Sequence, residues 1–202
     1  MTQPPPLVLG ITGGIGSGKS VIARCLHIMG IPVYNSDNEA RRLNNTHPII
    51  RQALTQLVGN HVYLPNGSLN KTALANYLFE SSTHAEQVNA IIHPIVKEDF
   101  LQWKQRQHTP WVAIESAILY ESRFDSLADK VLTVYAPEAI RIERACLRDH
   151  TSPEVIQARI LRQMADEEKV RLSDFILHND GNRAILPQIF DILANLLCPS
   201  QK

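Results

Sequence analysis

The stretch GGIGSGKS, residues 13–20, decides the fold of this chain of 202 residues. It matches the pattern GxxxxGK[ST], in which a glycine-rich loop cradles the phosphates of a nucleotide. Glycine permits positive φ angles and a close approach of the backbone, so successive N–H groups can curl around an anion. Lys19 supplies a point charge for the β and γ oxygens, and the Ser20 hydroxyl can bind Mg²⁺. The stretch therefore predicts a site for a nucleoside triphosphate and Mg²⁺.

The residues on either side give this loop the setting that the pattern requires. Leu7–Thr12 is an apolar run, as expected for a parallel strand covered on both faces. The helix that begins at Gly18 carries apolar residues at helical spacing and is stopped by Gly30. Residues 31–36 read as a second strand. Because a strand, a loop, a helix and a strand form a βαβ unit, we predict a parallel sheet.

The rest of the chain extends this pattern. Further strands are predicted for residues 111–119, 130–137 and 175–179, and helices for residues 49–58, 71–79, 85–107 and 185–197, with a helical pattern also from 137 to 171. We therefore predict a P-loop NTPase-type α/β fold, a three-layer α/β/α arrangement around a five-stranded parallel sheet. The chain would form a single domain of residues 1–202, with a core of 7–36 and 111–202, a helical acceptor-binding insertion at about 37–110 and a helical lid at about 138–172.

Composition and charge narrow the class of protein. Lys plus Arg and Asp plus Glu are equal at 20 each, which argues against a protein that coats nucleic acid. Cys25, Cys146 and Cys198 show no CxxC or metal-ligand spacing, so we expect three reduced thiols. The apolar run after Met1 is too short for a signal peptide, and no run reaches membrane-spanning length. These features predict a cytoplasmic protein without a nucleic-acid or membrane partner, and they leave the oligomeric state unknown.

Several classes of protein share the P-loop. A GTPase should carry NKxD, but the NK of this chain, Asn70-Lys71, is followed by Thr72 and Ala73. A motor or AAA-type ATPase should have an apolar strand that ends in Asp-Glu, and VAIES with Glu115 is a poor match. A small kinase fits better, since a helical insertion can bind an acceptor and an arginine-bearing lid can close over ATP.

Arginines in the predicted lid support a kinase. Arg141, Arg144 and Arg148 fall on one face of a helix. Without the P-loop, this pattern would favour a solvated face with ion pairs to Glu143 and Asp149. With the P-loop, it favours side chains that neutralise the charge of the transferred phosphate.

A kinase that phosphorylates an alcohol also needs a carboxylate for the hydroxyl proton. Asp37 follows the second predicted strand, at the sheet edge where the P-loop opens. The alternative role of Asp37 is the N-cap of a helix at residues 38–43, a common use of aspartate. Both roles can hold together.

Taken in order, these segments resemble the dephospho-coenzyme A kinase family over nearly the whole chain. The matching segments are GITGGIGSGKS (10–20), SDNEARR (36–42), LNKTALANYLF (69–79), VNAIIHP (88–94), AILYE (117–121), RIERACLRD (141–149), RILRQM (159–164) and FILHNDG (175–181). The resemblance implies transfer of the γ-phosphate of ATP to the ribose 3′-hydroxyl of dephospho-CoA, giving coenzyme A and ADP in the last step of coenzyme A biosynthesis. It implies a small-molecule acceptor, ATP as co-substrate and Mg²⁺ as cofactor.

The resemblance also implies roles for individual residues. The catalytic residues would be Asp37 as general base, Lys19 and Arg144. The ATP-binding residues would be Gly13, Gly14, Ile15, Gly16, Ser17, Gly18, Lys19, Ser20, Arg144, Arg148 and Asn179. The acceptor would contact Asp37, Arg41, His93 and Glu121, and Mg²⁺ would bind Ser20.

The chain departs from the family pattern at two places. It reads Asn35-Ser36-Asp37 where the family usually reads Asp-Ala-Asp, and Ala117 replaces a proline. We expect Asp37 to suffice as the base. By itself, His93, which precedes a proline, would indicate a helix kink rather than an acceptor contact; with the resemblance, the two interpretations have equal weight. Two alternatives stay open: a kinase of another small alcohol, such as a nucleoside or sugar acid, and a nucleotide-binding regulator that has lost catalysis.

Overall fold

The computed structural model of the chain describes residues 4–197, so Cys198 lies outside the described residues. The backbone divides into two compact units. The sheet unit comprises Met1–Tyr34 and Gln107–Lys202, and the helical unit comprises Asn35–Arg106. Within residues 4–197, no helix is long and apolar enough to cross a bilayer.

Five strands form one sheet in the described part of the chain. They are β1 (Leu7–Thr12), β2 (Val33–Asn35), β3 (Trp111–Glu115), β4 (Lys130–Tyr135) and β5 (Phe175–His178), in the order β2-β3-β1-β4-β5. The central strand β1 is parallel to both of its neighbours, with Leu9 opposite Ala113 on β3 and Lys130 on β4. The prediction of a five-stranded parallel sheet in an α/β fold is confirmed.

Helices connect the strands and make up most of the helical unit. Over residues 4–197 they are α1 (Lys19–Ile28), α2 (Ser36–Thr46), α3 (Pro48–Val58), α4 (Lys71–Glu80), α5 (Ser82–Gln105), α6 (Glu138–Asp149), α7 (Pro153–Ile160), α8 (Asp166–Leu172) and α9 (Ile185–Leu197). Two short 3₁₀ turns lie at Asn60–Val62 and Asp125–Leu127.

One face of the sheet is covered by α1 and α9. Leu9 and Ile11 alternate along β1, so their side chains point to the same face. They pack in one buried cluster with Ile22 and Leu26 of α1 and Ile189 of α9. Each such side chain stabilises the fold by about 1.5–3 kcal/mol. This cluster fixes β1 and α1 relative to each other, and therefore fixes both ends of the loop between them.

The opposite face of β1 carries a glycine because side chains that follow β3 pack directly on it. A Cβ at Gly10 would lie 2.9 Å from Cδ2 of Leu119. Leu119 is fully buried, and the N–H of Phe124 donates to its carbonyl at 2.8 Å. The segment after β3 is therefore a tight turn held against the sheet.

The helical unit has its own buried core. α5 packs against α2, α3 and α4. Leu54 of α3 and Phe100 of α5 are fully buried, and Arg42 of α2 forms an ion pair of 2.7 Å with Asp99 of α5. α5 continues through Pro94, although proline has no N–H to donate to the preceding turn.

Several element boundaries differ from the predictions. β2 begins after Pro32, which has no N–H for a ladder, and ends at Asn35 because Ser36 already begins α2. β3 ends at Glu115, since the following residues form the tight turn. The helical pattern at 137–171 is divided into three helices, and α6 ends where His150 adopts a left-handed conformation with a φ of 50°.

Candidate active site

The P-loop, residues 13–20, joins β1 to α1 through a backbone that needs glycine. Gly13, Gly16 and Gly18 have φ angles of 144°, 79° and 94°, a region that glycine enters without steric cost. α1 then begins at Lys19, and the N–H of Ile22 donates to the carbonyl of Gly18. Within the described residues, no side chain caps this end of α1 and its first turn has no acidic residue. An uncapped helix N-terminus presents N–H groups and partial positive charge, which suits a phosphate.

Lys19 is held over the loop by backbone oxygens. Its Nζ donates to the carbonyl of Gly13 at 2.8 Å and to that of Gly14 at 3.2 Å, and the residue is only 9% exposed. The loop backbone therefore holds the ammonium group of Lys19 against the first peptide groups of the P-loop.

Ser20 and Glu115 bring two oxygen groups together beside the loop. Oγ of Ser20 donates to Oε1 of Glu115 at 2.7 Å, and Glu115, the last residue of β3, is buried. Hydroxyl and carboxylate oxygens suit Mg²⁺, which often uses one or two carboxylates together with the phosphates of its substrate. Among the described residues, no group of three or more His, Cys, Asp or Glu side chains forms a metal cluster. The donors at Ser20 and Glu115 thus fit an ion that takes most of its ligands from phosphate and water.

Three side chains from the predicted lid bind the first half of the P-loop. The Asp166 carboxylate accepts the N–H of Gly14, and Oε1 of Gln163 accepts the N–H of Ile15 at 3.0 Å. Arg141, which is 3% exposed, donates to the carbonyl of Ile15 at 3.3 Å and forms an ion pair with Asp166. Burial raises the pKa of the Asp166 carboxyl, and the facing charge of Arg141 acts in the opposite direction. We call Arg141, Gln163 and Asp166 the lid clasp.

The clasp explains two of the loop glycines. A Cβ at Gly14 would lie 2.2 Å from Nη1 of Arg141, and a Cβ at Gly16 would lie 2.1 Å from the carbonyl oxygen of Arg141. These glycines are therefore required by the packing of α6 as well as by the turn of the loop.

Arg144 and Asn179 meet at the other end of the P-loop. Nδ2 of Asn179 donates to the carbonyl of Ser17 at 2.8 Å, and Nη1 of Arg144 donates to the carbonyl of Asn179 at 3.0 Å. A Cβ at Gly18 would lie 2.2 Å from Nδ2 of Asn179. The structure thus brings these two sequence-predicted residues to the loop itself.

Arg148 lies apart from this group. Its guanidinium makes two hydrogen bonds to Asp149, at 2.8 and 3.1 Å, and the side chain is largely exposed. Arg159 binds the same carboxylate at 2.9 Å, and the hydrogen bond from Arg148 holds the pKa of Asp149 below its ordinary value. The three arginines of α6 therefore have different surroundings: Arg141 is buried in the clasp, Arg144 contacts Asn179, and Arg148 has the solvated ion pair of the alternative interpretation.

Glu121 holds the lid segment to the turn after β3. Its Oε1 accepts the N–H of Met164 at 2.7 Å and lies 3.2 Å from Nζ of the fully buried Lys169. That Nζ also donates to the carbonyl of Ala117 at 3.0 Å. In this structure the carboxylate is thus engaged by the protein's own groups.

Asp37 lies in the first turn of α2, in the helical unit. The N-cap of α2 is Asn35, whose Oδ1 accepts the N–H of Asn38 at 2.8 Å. Because the helix begins at Ser36, the alternative role of Asp37 as N-cap is wrong. The residue that departs from the family pattern fills that role instead.

The other predicted acceptor contacts lie on α2 and α5. Arg41 is exposed, and its Nη1 donates to Oδ1 of Asn38 at 3.3 Å. His93 is partly buried and precedes Pro94 within α5. Burial, together with the charge of Lys97, lowers the pKa of His93, so its imidazole is neutral at pH 7.

Comparison with known proteins decides among the kinase classes. A family model described as dephospho-CoA kinase matches residues 7–184. The chain belongs to the dephospho-CoA kinase family. It is therefore a kinase that phosphorylates a hydroxyl group of dephospho-CoA, with a nucleotide as the phosphate donor.

Individual relatives agree with this family. The dephospho-CoA kinase of Bacteroides fragilis is 51% identical over 189 residues, which cover 93% of this chain and 92% of that protein. A crystal structure of a Thermus thermophilus protein has a TM-score of 0.83 at 29% identity, covering 98% of this chain and 100% of the other. The dephospho-CoA kinase of Campylobacter jejuni has a TM-score of 0.68 at 19% identity, covering 94% and 96%, and it shows the shared fold.

Sequence reasoning missed three residues at the loop. Glu115 had a visible signal, since a carboxylate that ends an apolar strand reaches the edge where the P-loop opens. Gln163 lies in the matching segment RILRQM, but its contact with Ile15, like that of Asp166 with Gly14, joins residues about 150 positions apart and has no local signal.

Proposed function

We propose that this chain transfers the γ-phosphoryl group of ATP to the ribose 3′-hydroxyl of dephospho-CoA, producing coenzyme A and ADP, with Mg²⁺. The observation that carries the proposal is the family match over residues 7–184. The geometry of the P-loop supports it, since a buried lysine and an uncapped helix N-terminus lie on the same loop.

On the nucleotide side, the N–H groups of Gly16 and of residues 18–20, together with the side chain of Lys19, bind the β and γ phosphates. The support is the uncapped start of α1 and the two carbonyls that hold Nζ of Lys19. Arg144 neutralises charge on the transferred group, supported by its contact with Asn179 at the loop. Arg148 joins it after exchanging its exposed partner Asp149 for phosphate.

Ser20 and Glu115 would hold Mg²⁺ beside the loop. When bound, the ion would supply positive charge that stabilises the charge developing on the phosphates. The Ser20–Glu115 hydrogen bond of 2.7 Å supports this assignment, because it places a hydroxyl and a carboxylate side by side.

On the acceptor side, Asp37 accepts the proton of the ribose hydroxyl. Ligands of open α/β sheets bind beyond the carboxyl ends of the strands, and Asp37 follows β2 by two residues. Since Asn35 caps α2, the side chain of Asp37 does not serve as the cap. Arg41 and the neutral His93 contact the acceptor from the helical unit, which serves as the acceptor-binding insertion. An acceptor contact of Glu121 and the cytoplasmic location stay predictions of the sequence.

An acceptor panel tests the proposal. ADP release is measured with Mg²⁺ and ATP in the presence of dephospho-CoA, adenosine, shikimate or gluconate, and the position of the new phosphate is assigned by NMR. We expect turnover with dephospho-CoA alone and phosphate on the 3′-oxygen. Turnover only with another alcohol would favour a different kinase, and nucleotide binding without turnover would favour a regulator.

A further inference from the structure

Lys19 and the lid clasp hold consecutive peptide groups of the P-loop from opposite sides. In a trans peptide the C=O and the following N–H point in opposite directions, and no described residue forms a cis peptide. Lys19 binds the carbonyls of Gly13 and Gly14. The clasp binds the N–H groups that follow them, on Gly14 and Ile15. The clasp therefore faces away from the lysine.

The next peptide group is reversed. Arg141 of the clasp binds the carbonyl of Ile15, so the N–H of Gly16 points away from the clasp, toward the side of Lys19. The φ of 79° at Gly16 accompanies this reversal. Each backbone N–H is one donor. The clasp thus uses the N–H groups of Gly14 and Ile15, and the N–H of Ser17 donates to the carbonyl of Gly14 at 3.1 Å. The N–H of Gly16 and those at the start of α1 are the donors that the clasp leaves for an anion.

Gln163 ties the clasp to the turn after β3. Its Oε1 accepts from Ile15 at 3.0 Å, and its Nε2 donates to the carbonyl of Ala117 at 3.4 Å. A side-chain amide offers an acceptor and a donor at once, so one residue of the lid segment links two backbone segments of the sheet unit.

We propose that Gln163 is a positioning residue for the nucleotide. By binding the N–H of Ile15, it keeps the P-loop peptides in the orientation that presents the N–H groups of Gly16 and of residues 18–20 to the phosphates. The inference rests on the proposed phosphate-binding role of the loop. Donors that are already oriented cost less to order on binding. Gln163 therefore acts on nucleotide binding and not on the acceptor.

Two substitutions separate this role from simple packing. Gln163→Met keeps the chain length and removes both hydrogen bonds, while Gln163→Glu keeps the acceptor for Ile15 and loses the donor to Ala117. Gln157→Met on α7 is the matched control, because that glutamine is exposed. ADP affinity is measured by calorimetry without acceptor, and the KM for each substrate is measured with kcat.

We expect Gln163→Met to weaken ADP binding and to lower kcat/KM for ATP by about tenfold, the size of one hydrogen bond, with the KM for dephospho-CoA within about twofold of wild type. The ADP affinity of Gln163→Glu should lie nearer to that of wild type than to that of Gln163→Met.

Three outcomes would overturn the inference: wild-type ADP affinity in Gln163→Met, equal losses of kcat/KM for both substrates, or no recovery of ADP affinity in Gln163→Glu. If Gln163→Met does not fold, Gln163→Asn, too short to reach Ile15, takes its place. If the wild-type protein binds ADP but does not phosphorylate dephospho-CoA, the proposed function is wrong. The ADP affinities of the Gln163 variants would still test the role of Gln163.

Discussion

The helices α1 and α2 differ in how their N-termini are capped and in the charge of their first turns. α1 starts at Lys19 with no side-chain cap and no acid in its first turn, as far as the described residues show. α2 starts at Ser36, is capped by Asn35, and carries Asp37 and Glu39 in its first turn. The first end keeps its positive potential for a ligand, whereas the second satisfies it internally.

The difference agrees with the proposed roles of the two ends, phosphate binding at α1 and proton acceptance at α2. An uncapped end with a lysine attracts polyphosphate. A capped end that bears carboxylates repels polyphosphate, and a carboxylate there suits the role of proton acceptor that we propose for Asp37. Substitutions that exchange or remove these features test the contrast directly.

The largest effect is expected at Lys19. Lys19→Met removes the charge that the loop carbonyls hold, and kcat/KM should fall by about a thousandfold, the upper range for one preorganised donor. Lys71→Met, at an exposed position at the start of α4, is the matched control in the ADP-release assay. If kcat/KM falls by less than tenfold while the melting curve is unchanged, Lys19 does not have the proposed role.

The second-largest effect on activity is expected for Asp37→Asn. It keeps the size of the side chain and removes the base, so kcat should fall by at least about a hundredfold, while ADP affinity measured by calorimetry stays at the wild-type value. Asp191→Asn, exposed on α9, controls for the chemical change. Wild-type kcat in Asp37→Asn would mean that another group takes the proton.

Glu115→Gln should raise the Mg²⁺ concentration that is needed for activity. The variant keeps a hydrogen-bond partner for Ser20 but loses the negative charge, so half-maximal activity should need about tenfold more Mg²⁺, as for other residues that orient metal ligands. A Mg²⁺ titration of the initial rate measures this. An unchanged titration curve would place the metal elsewhere.

The smallest effect is expected at Asn35. Asn35→Ala removes the cap and should lower the free energy of unfolding by about 1 kcal/mol, while Asn35→Asp, which restores the family residue, should keep the stability. Urea denaturation measures both, and kcat should stay within about threefold of wild type if Asp37 is the base, as we propose. A loss of kcat in Asn35→Ala as large as that in Asp37→Asn would reverse the roles of the two residues.

The sequence was sufficient for the strands and the P-loop because both depend on local patterns. A buried parallel strand needs a continuous apolar run, such as Leu7–Thr12, and the loop needs glycines at fixed positions. The order β2-β3-β1-β4-β5 could not be predicted, since strand neighbours depend on long-range packing.

The surroundings of the loop were only partly predictable. Helical spacing placed Arg141, Arg144 and Arg148 on one face, but burial and partners give them three different environments. The clasp has no local signature, because Gln163 meets Ile15 through tertiary packing alone. Aspartate is a common N-cap, which made the cap of α2 an alternative role for Asp37, yet Asn35 serves equally well and lies one residue before the helix.

A crystal structure with a non-hydrolysable ATP analogue and Mg²⁺ tests the central claim most directly. We expect β and γ phosphate oxygens within about 3 Å of the N–H groups of Gly16 and of residues 18–20, with the N–H groups of Gly14 and Ile15 still bound by Asp166 and Gln163. Phosphates bound away from the start of α1, or bound to the N–H groups of Gly14 and Ile15 after release of the clasp, would contradict it.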